Sequence, residues 1–204
     1  MRLFNKIYRL LRNEPQPVIV VSGLPRSGTS MMMEMLKAGG MEVLTDHIRQ
    51  PNEDNPKGYY EFERVKKLPE GDTMWIKDAE GKVVKIISAL LVHLPSTHTY
   101  KILFMRRNIA EILASQKQML VRRGEPTDRV DDTEMARLFE KHLREVQVWL
   151  DRQPRMTYLD VDYNAMLHDP RPQITQVLVF LGHTLDFEKM MKVVDPALYR
   201  QKKG

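Results

Sequence analysis

A short apolar strand that leads through a glycine-containing loop into a helix is the feature that most constrains how this chain can fold. Residues 18–21 read Val-Ile-Val-Val, a β-branched run without polar alternation, which is typical of a strand buried on both faces of a parallel sheet. The loop 23–28 follows, and residues 31–38 have helical spacing that ends at Gly39 and Gly40. This order of strand, loop and helix predicts an α/β protein.

The alternation of short apolar strands with helices recurs along the rest of the chain. It favours a three-layer α/β/α fold, in which helices cover both faces of a mostly parallel central sheet. Further strands are predicted at 83–87, 102–105 and 157–161, and an apolar segment continues from the first of these to residue 94. Helices are predicted at 108–121, 132–152, 163–167 and 171–182.

The length of the chain, 204 residues, predicts a single domain, because one core usually serves about 100–200 residues. We expect an N-terminal arm at 1–16, a core at 17–183 and a C-terminal extension at 184–204. Residues 4–12 carry apolar side chains at helical spacing among basic ones. This pattern predicts a short amphipathic helix, which either packs on the domain or contacts a membrane surface.

Composition excludes several classes of function. The chain has no cysteine, which rules out disulfides, thiolate metal sites and a cysteine nucleophile, and its six histidines lack the spacing of a metal site. The net charge of +5 favours anionic ligands, but the sequence lacks the dense basic stripe of a nucleic-acid binder. No apolar run approaches the roughly 18–20 residues of a membrane span, and the N-terminal stretch lacks a signal-type apolar core. We therefore expect a soluble, cytoplasmic protein without a metal site.

The loop between the first strand and its helix has the chemistry of a phosphate-binding segment. Backbone N–H groups and a helix N-terminus converge there, Gly28 lets the main chain approach an anion, and the hydroxyls of Ser27, Thr29 and Ser30 add donors. The spacing is nearly that of a Walker A loop, but Thr29 replaces the lysine that binds the β- and γ-phosphates of a nucleoside triphosphate. The cation of this loop is instead Arg26. An ordinary glycine turn is the alternative interpretation.

This loop resembles the 5'-phosphosulfate-binding loop of sulfotransferases that use PAPS (3'-phosphoadenosine 5'-phosphosulfate) as donor. The family motif reads P-[KR]-S-G-T-[TS], and residues 25–30, Pro-Arg-Ser-Gly-Thr-Ser, match it at every position. The arginine form is similar to that of tyrosylprotein sulfotransferases and many bacterial relatives. The resemblance implies that Arg26 contacts the transferring sulfuryl group and the bridging oxygen. It also implies that the donor is bound by the whole loop, namely Pro25, Arg26, Ser27, Gly28, Thr29 and Ser30.

Residues 107–115 resemble the segment that binds the donor's 3'-phosphate in the same family. That motif reads R-N-P-x-[DE]-[VI]-x-x-S, and this chain departs from it only at Ile109, which replaces proline. The resemblance implies that Arg107 and Ser115 bind the 3'-phosphate. The alternative is a structural role, in which Arg107 merely forms an ion pair with Glu111.

A third block, residues 163–182, is similar to the family's Y-E-D-L-x-x-D-P segment and the apolar helix that follows it. Tyr163, Asp169 and Pro170 fit this pattern, whereas Asn164 and Ala165 replace the usual acids. We assign a packing role to this block. The resemblance thus covers about residues 18–182 in three ordered parts.

The general base must come from another part of the chain. Sulfuryl transfer to a hydroxyl needs a group that takes the acceptor proton and cations that offset charge on the leaving phosphate. We predict that Glu61 is this base, because bacterial sulfotransferase-like proteins have a similar N-P-x-G-[YF]-x-E segment and a turn there can present it at the carboxyl edge of the sheet. A helix cap or a surface ion pair is the alternative role for Glu61, and His47 is the rival base.

Lys85 is an amine within a predicted strand. Its side chain either steadies the bridging oxygen of the donor or extends into solvent from an edge position of the sheet.

The sequence therefore predicts a sulfotransferase that moves a sulfuryl group from PAPS to an acceptor hydroxyl or amine and releases PAP (adenosine 3',5'-bisphosphate). The pattern does not choose among carbohydrate, peptide, lipid and small-molecule acceptors. A Mg²⁺-dependent P-loop kinase and a non-catalytic nucleotide-binding module are the alternatives, and the missing Walker lysine weighs against the first.

Overall fold

The centre of the fold is a parallel sheet. The computed structural model describes residues 15–46, 48, 58–127 and 131–194, so the predicted helix at 4–12 and the candidate base His47 lie outside the described residues. Within them the sheet has four strands in the order β2-β1-β3-β4, and every neighbouring pair is parallel, which confirms the predicted fold class. The strands are β1 (Val18–Gly23), β2 (Val83–Lys85), β3 (Tyr100–Arg106) and β4 (Met156–Asp162).

Helices and 3₁₀ segments connect the strands and cover both faces of the sheet. The helices are α1 (Thr29–Ala38), α2 (Ile109–Arg122), α3 (Asp132–Leu150), α4 (Tyr163–His168), α5 (Pro170–Leu181) and α6 (Phe187–Val193), and the 3₁₀ segments are Glu63–Glu70, Met74–Ala79 and Ser88–His93. The helices predicted within the described residues are present with boundaries within about two residues. Strand β2 is shorter than the predicted 83–87, because the chain leaves the sheet after Lys85 and turns into a 3₁₀ segment.

The central strand β1 separates two hydrophobic cores. Its residues are all buried, as an apolar strand without alternation predicts. Ile19 and Val21 belong to a core with helices α1, α5 and α6, and Val18 and Val20 belong to a core with the 3₁₀ segments and helix α3. The predicted three layers follow from this arrangement.

Helix α6 lies within the stretch that the sequence analysis assigned to a C-terminal extension. Met190 of this helix is fully buried in the same core as Met35 and Leu36 of α1. The packed core therefore continues past residue 183.

Helix α3 is fixed to the opposite face by a polar contact as well as by its apolar residues. The Nε2 atom of His142 lies 2.9 Å from the Oγ atom of Ser88, in the 3₁₀ segment that follows β2. Burial lowers the pKa of His142, which favours a neutral ring at pH 7. His142 thus has a packing role between α3 and this 3₁₀ segment.

The parallel register places the carboxyl ends of the strands at one edge. Gly23 pairs with Met105, and Arg106 pairs with Asp162. On the other side of β1, Val21 pairs with Lys85. Ligands of open α/β sheets bind at this edge, so the register brings the predicted donor-binding motifs together. No helix in the described part of the chain has the length and apolarity that crossing a membrane would require.

Candidate functional site

The loop between β1 and α1 has a backbone suited to an anion. Gly28 precedes the helix with a φ of 97°, and Arg26 also has a left-handed φ, of 71°. The N–H of Ser27 donates to the carbonyl of Leu24 at 3.2 Å, which closes a tight turn. Left-handed residues in a loop before a helix form concave arrangements of N–H groups that bind anions.

Two glycines make this loop possible because no side chain fits at their positions. A Cβ atom on Gly28 would lie 2.3 Å from the ring of Tyr163, and a Cβ atom on Gly23 would lie 2.6 Å from Ser27 Oγ and 2.8 Å from the carbonyl oxygen of Met105. Tyr163, the first residue of α4, therefore forms one wall of the loop. Tyr163 belongs to the third sequence block, to which we assigned a packing role, and its ring packs against the loop at Gly28.

The side chain of Ser27 is a buried polar group that needs a partner. Ser27 is 1% exposed, and its hydroxyl has no hydrogen-bond partner among the described residues. A buried hydroxyl without a partner is unfavourable, and a phosphate oxygen would supply one. The residues of the loop are therefore suited to an anionic ligand.

The loop and the second motif meet at Arg26. Arg26 Nε donates to Ser115 Oγ at 2.9 Å, and Arg107 Nη1 donates to the carbonyl oxygen of Arg26 at 2.9 Å. Ser115 lies on α2, which begins after Asn108, whose side chain caps the helix by accepting from the N–H of Ala110. The structure thus brings together three of the residues that the resemblance assigned to the donor.

Arg107 is held from several directions. Its Nε donates to Glu111 Oε2 at 3.1 Å, and the side chains of both residues are nearly buried, with exposed fractions of 7% and 6%. The guanidinium also lies over the ring of Tyr163, 4.6 Å from the ring centre. Burial raises the pKa of Tyr163, so its hydroxyl stays neutral at pH 7. The ion pair that the sequence analysis gave as an alternative is present, together with the contact to the loop.

The carboxylate of Glu111 has a second partner. Asn164 Nδ2 donates to its two oxygens at 2.9 and 3.0 Å. Glu111 follows Arg107 at the i,i+4 spacing of helical ion pairs, so the sequence pattern reveals that contact. Asn164 is distant in sequence, and no local pattern indicates its role.

Glu61 and Lys85 form a second group at the same edge of the sheet. Lys85 Nζ donates to the carbonyl oxygen of Tyr59 and lies 3.9 Å from Glu61 Oε1. Its side chain is 9% exposed, so Lys85 is on an edge strand but does not snorkel into solvent. Glu61 also lies 4.0 Å from Lys66 Nζ, which means that this carboxylate contacts two cations.

The backbone around Glu61 is held in a strained conformation. Tyr60 has a left-handed φ of 51°, and its hydroxyl donates to Glu34 of helix α1. The carbonyl of Glu61 accepts from Thr45 Oγ1 at 2.8 Å. Non-glycine residues with a left-handed φ cost about 1–3 kcal/mol and cluster at functional sites. Among the described residues they are Arg26 and Tyr60, one in each of the two groups.

Comparison with known proteins identifies the same family as the sequence motifs. The sequence model of the sulfotransferase domain matches residues 16–204. Comparison with curated protein sequences gives no significant match. Among the described residues, no group of histidines and carboxylates is arranged to hold a metal ion.

Solved sulfotransferase structures share the fold at low sequence identity. Sulfotransferase STF1 from Mycobacterium tuberculosis is 16% identical with a TM-score of 0.56, over 94% of this chain and 74% of that chain. The sulfotransferase domain of the Synechococcus olefin synthase is 17% identical with a TM-score of 0.52, over 93% and 84%. Mouse sulfotransferase SULT7A1, solved in complex with PAP, is 18% identical with a TM-score of 0.51, over 88% and 62%.

The tight fit of Gly28 predicts a specific loss of stability. Gly28→Ala should destabilise the protein more than Gly40→Ala, because both residues have a similar left-handed φ, 97° and 99°, but nothing lies within 4 Å of a Cβ atom on Gly40. Left-handed alanine costs roughly 1–2 kcal/mol at either position, and the clash with Tyr163 adds about 1–3 kcal/mol for Gly28→Ala. Denaturant unfolding of the two variants measures the difference, and equal losses would show that the ring of Tyr163 moves away freely.

Proposed function

Since the chain belongs to the sulfotransferase family, we propose that it transfers a sulfuryl group from PAPS to an acceptor hydroxyl or amine and releases PAP. The acceptor is a carbohydrate, peptide, lipid or small molecule. The main support for the donor is the meeting of the two motifs at Arg26. PAPS carries a 5'-phosphosulfate and a 3'-phosphate, so its site needs two neighbouring groups of anion ligands.

The residues divide between these two anionic groups. Residues 25–30 hold the 5'-phosphosulfate with the backbone of the loop, the hydroxyl of Ser27 and the cation of Arg26. Arg107 and Ser115 hold the 3'-phosphate, since a guanidinium binds phosphate through paired N–H donors and a hydroxyl adds another hydrogen bond. The Ser115 hydroxyl can accept from Arg26 and donate to a phosphate at the same time.

With a hydroxyl acceptor, the chemical step exchanges one sulfur–oxygen bond for another. The acceptor oxygen forms a bond to sulfur while the bond to the bridging oxygen breaks, and its electron pair leaves with PAP. The acceptor proton passes to Glu61, and the cations of Arg26 and Lys85 offset the charge that develops on the leaving oxygen. Lys85 also fixes the position of Glu61, because it contacts both the carboxylate and the preceding backbone.

The choice of nucleotide tests this proposal against phosphotransfer chemistry. We expect PAP to bind in the absence of metal and to bind more tightly than Mg-ATP, because Thr29 stands where a triphosphate-binding loop has its lysine. Titration calorimetry with each ligand measures the difference. A preference for Mg-ATP would refute the proposal, and PAP binding without sulfation of any acceptor in a broad panel would indicate a non-catalytic module.

Replacement of Arg107 by alanine should weaken the binding of PAP much more than the binding of AMP, because the two nucleotides differ only in the 3'-phosphate. A charge-assisted contact of about 1.5–3 kcal/mol corresponds to about 10–150-fold in the dissociation constant. Calorimetry on Arg107→Ala with both ligands measures this loss. Arg106→Ala is the matched control, since the adjacent Arg106 pairs instead with Asp160 at 2.8 Å and should leave the affinity for PAP unchanged. Equal losses of affinity for PAP and for AMP in Arg107→Ala would show that Arg107 is structural.

Neutralisation of Glu61 should separate turnover from binding. Glu61→Gln should retain PAP affinity but lose roughly 10²–10⁴-fold in kcat, the usual contribution of a positioned base. Turnover is followed with labelled PAPS and an acceptor identified from the panel. Glu63→Gln is the control, because Glu63 contacts the same Lys66 at 2.7 Å without having a proposed part in catalysis. If Glu61→Gln keeps kcat within a few-fold of wild type, the base lies elsewhere and His47→Ala is the next variant to measure.

A further inference from the structure

Glu111 is a buried charged residue to which the proposed reaction assigns no part. Its side chain is 6% exposed, on the first turn of α2. One carboxylate accepts from the Nε atom of Arg107 and from the amide of Asn164, at distances between 2.9 and 3.1 Å. A buried carboxylate is unfavourable unless it is paired and hydrogen-bonded, and these contacts meet both conditions.

These contacts determine which face of Arg107 is available. A guanidinium has five N–H donors in a rigid plane. Glu111 takes the Nε donor, the carbonyl of Arg26 takes one Nη1 donor, and the ring of Tyr163 lies against the plane. Among the described residues, Nη2 donates to no acceptor. The plane and the rotation of the guanidinium are thus fixed, with the Nη2 donors left for a ligand.

We propose that Glu111 is a positioning residue that sets the preference of the donor site for nucleotides carrying a 3'-phosphate. It does so by holding Arg107 in one orientation before the ligand binds, with Asn164 holding Glu111 in turn. This inference rests on the proposed function, because it requires Arg107 to contact the 3'-phosphate.

Charge and geometry predict opposite effects of removing this carboxylate. If Glu111 acted only through its charge, neutralising it would strengthen the binding of any anion near Arg107, and a nucleotide with more phosphates would gain most. If Glu111 acts by orienting Arg107, neutralising it lets the guanidinium rotate, and the contact that discriminates the 3'-phosphate weakens. The ratio of PAP affinity to AMP affinity therefore rises in the first case and falls in the second.

Asn164 gives an independent way to disturb the same orientation. Its amide contacts Glu111, and its Oδ1 atom accepts from the N–H of Asn108 at 3.4 Å, so it joins α4 to the start of α2. Asn164→Ala removes this support without leaving a buried charge unpaired. We expect it to act in the same direction as Glu111→Gln, with a smaller effect.

The experiment is calorimetry of PAP and AMP binding to the full chain and its variants. Glu111→Gln should lower the ratio of PAP affinity to AMP affinity about tenfold, which is the loss of one charge-assisted contact. Glu134→Gln is the control, because Glu134 forms an exposed helical ion pair with Arg137 at 2.6 Å and should leave the ratio unchanged. Melting curves of each variant show whether it is folded, and Asn164→Ala decides the question if Glu111→Gln does not fold.

The outcomes separate this inference from the proposed function. If Arg107→Ala lowers the ratio but Glu111→Gln and Asn164→Ala leave it unchanged, Glu111 is only structural and the inference fails alone. An increase of the ratio in Glu111→Gln also overturns it, since the charge would then dominate. If Arg107→Ala itself leaves the ratio unchanged, Arg107 does not contact the 3'-phosphate, and that assignment fails together with the inference.

Discussion

The parallel pairing of β1 with β2 on one side and β3 on the other determines where the two predicted donor-binding motifs and Lys85 lie. Because the three strands run in the same direction, the loop after Gly23, the turn after Arg106 and the residue Lys85 all reach the same edge. The pairing of Arg106 with Asp162 adds the start of α4, and with it Tyr163, to this edge. Segments that are far apart in sequence thereby meet at one edge of the sheet, although each motif is short and local.

The elements with a local signal could be predicted from the sequence. An unbroken β-branched run identified β1, and the spacing of apolar residues identified the helices, because both patterns follow from the periodicity of a single element. The end of β2 could not be predicted, since Ile86 and Ile87 are as apolar as the strand before them. In the structure Ile86 is fully buried and Ile87 is 43% exposed, a difference set by the turn into the 3₁₀ segment rather than by residue type.

Contacts between distant segments were the part of the site that the sequence did not reveal. The pairing of Lys85 with the backbone of Tyr59 explains why an amine is tolerated in a mostly buried position, yet it depends on how an irregular loop folds over the sheet edge. The contact of Asn164 with Glu111 also depends on tertiary structure. Asn164 is uncharged, so no helical ion-pair spacing indicates the contact, and the two residues meet because β4 runs beside β3. Such contacts join elements whose relative positions are set by tertiary packing.

The buried ion pair of Arg107 and Glu111 also bears on how the proposed donor site binds its anionic ligand. A guanidinium buried alone would be costly to desolvate, whereas a pair that is almost neutral overall can be buried next to the loop before any ligand arrives. The pair weakens the purely electrostatic attraction for phosphate, since Glu111 opposes the charge of Arg107. The pair also fixes the N–H donors of Arg107, so less conformational freedom is lost when the ligand binds.

The left-handed backbone of Arg26 acts in the same way, because its strain is already present in the folded chain. In the proposed donor site, recognition of the 3'-phosphate then depends more on the placement of the hydrogen-bond donors of Arg107 than on the net charge of the pair.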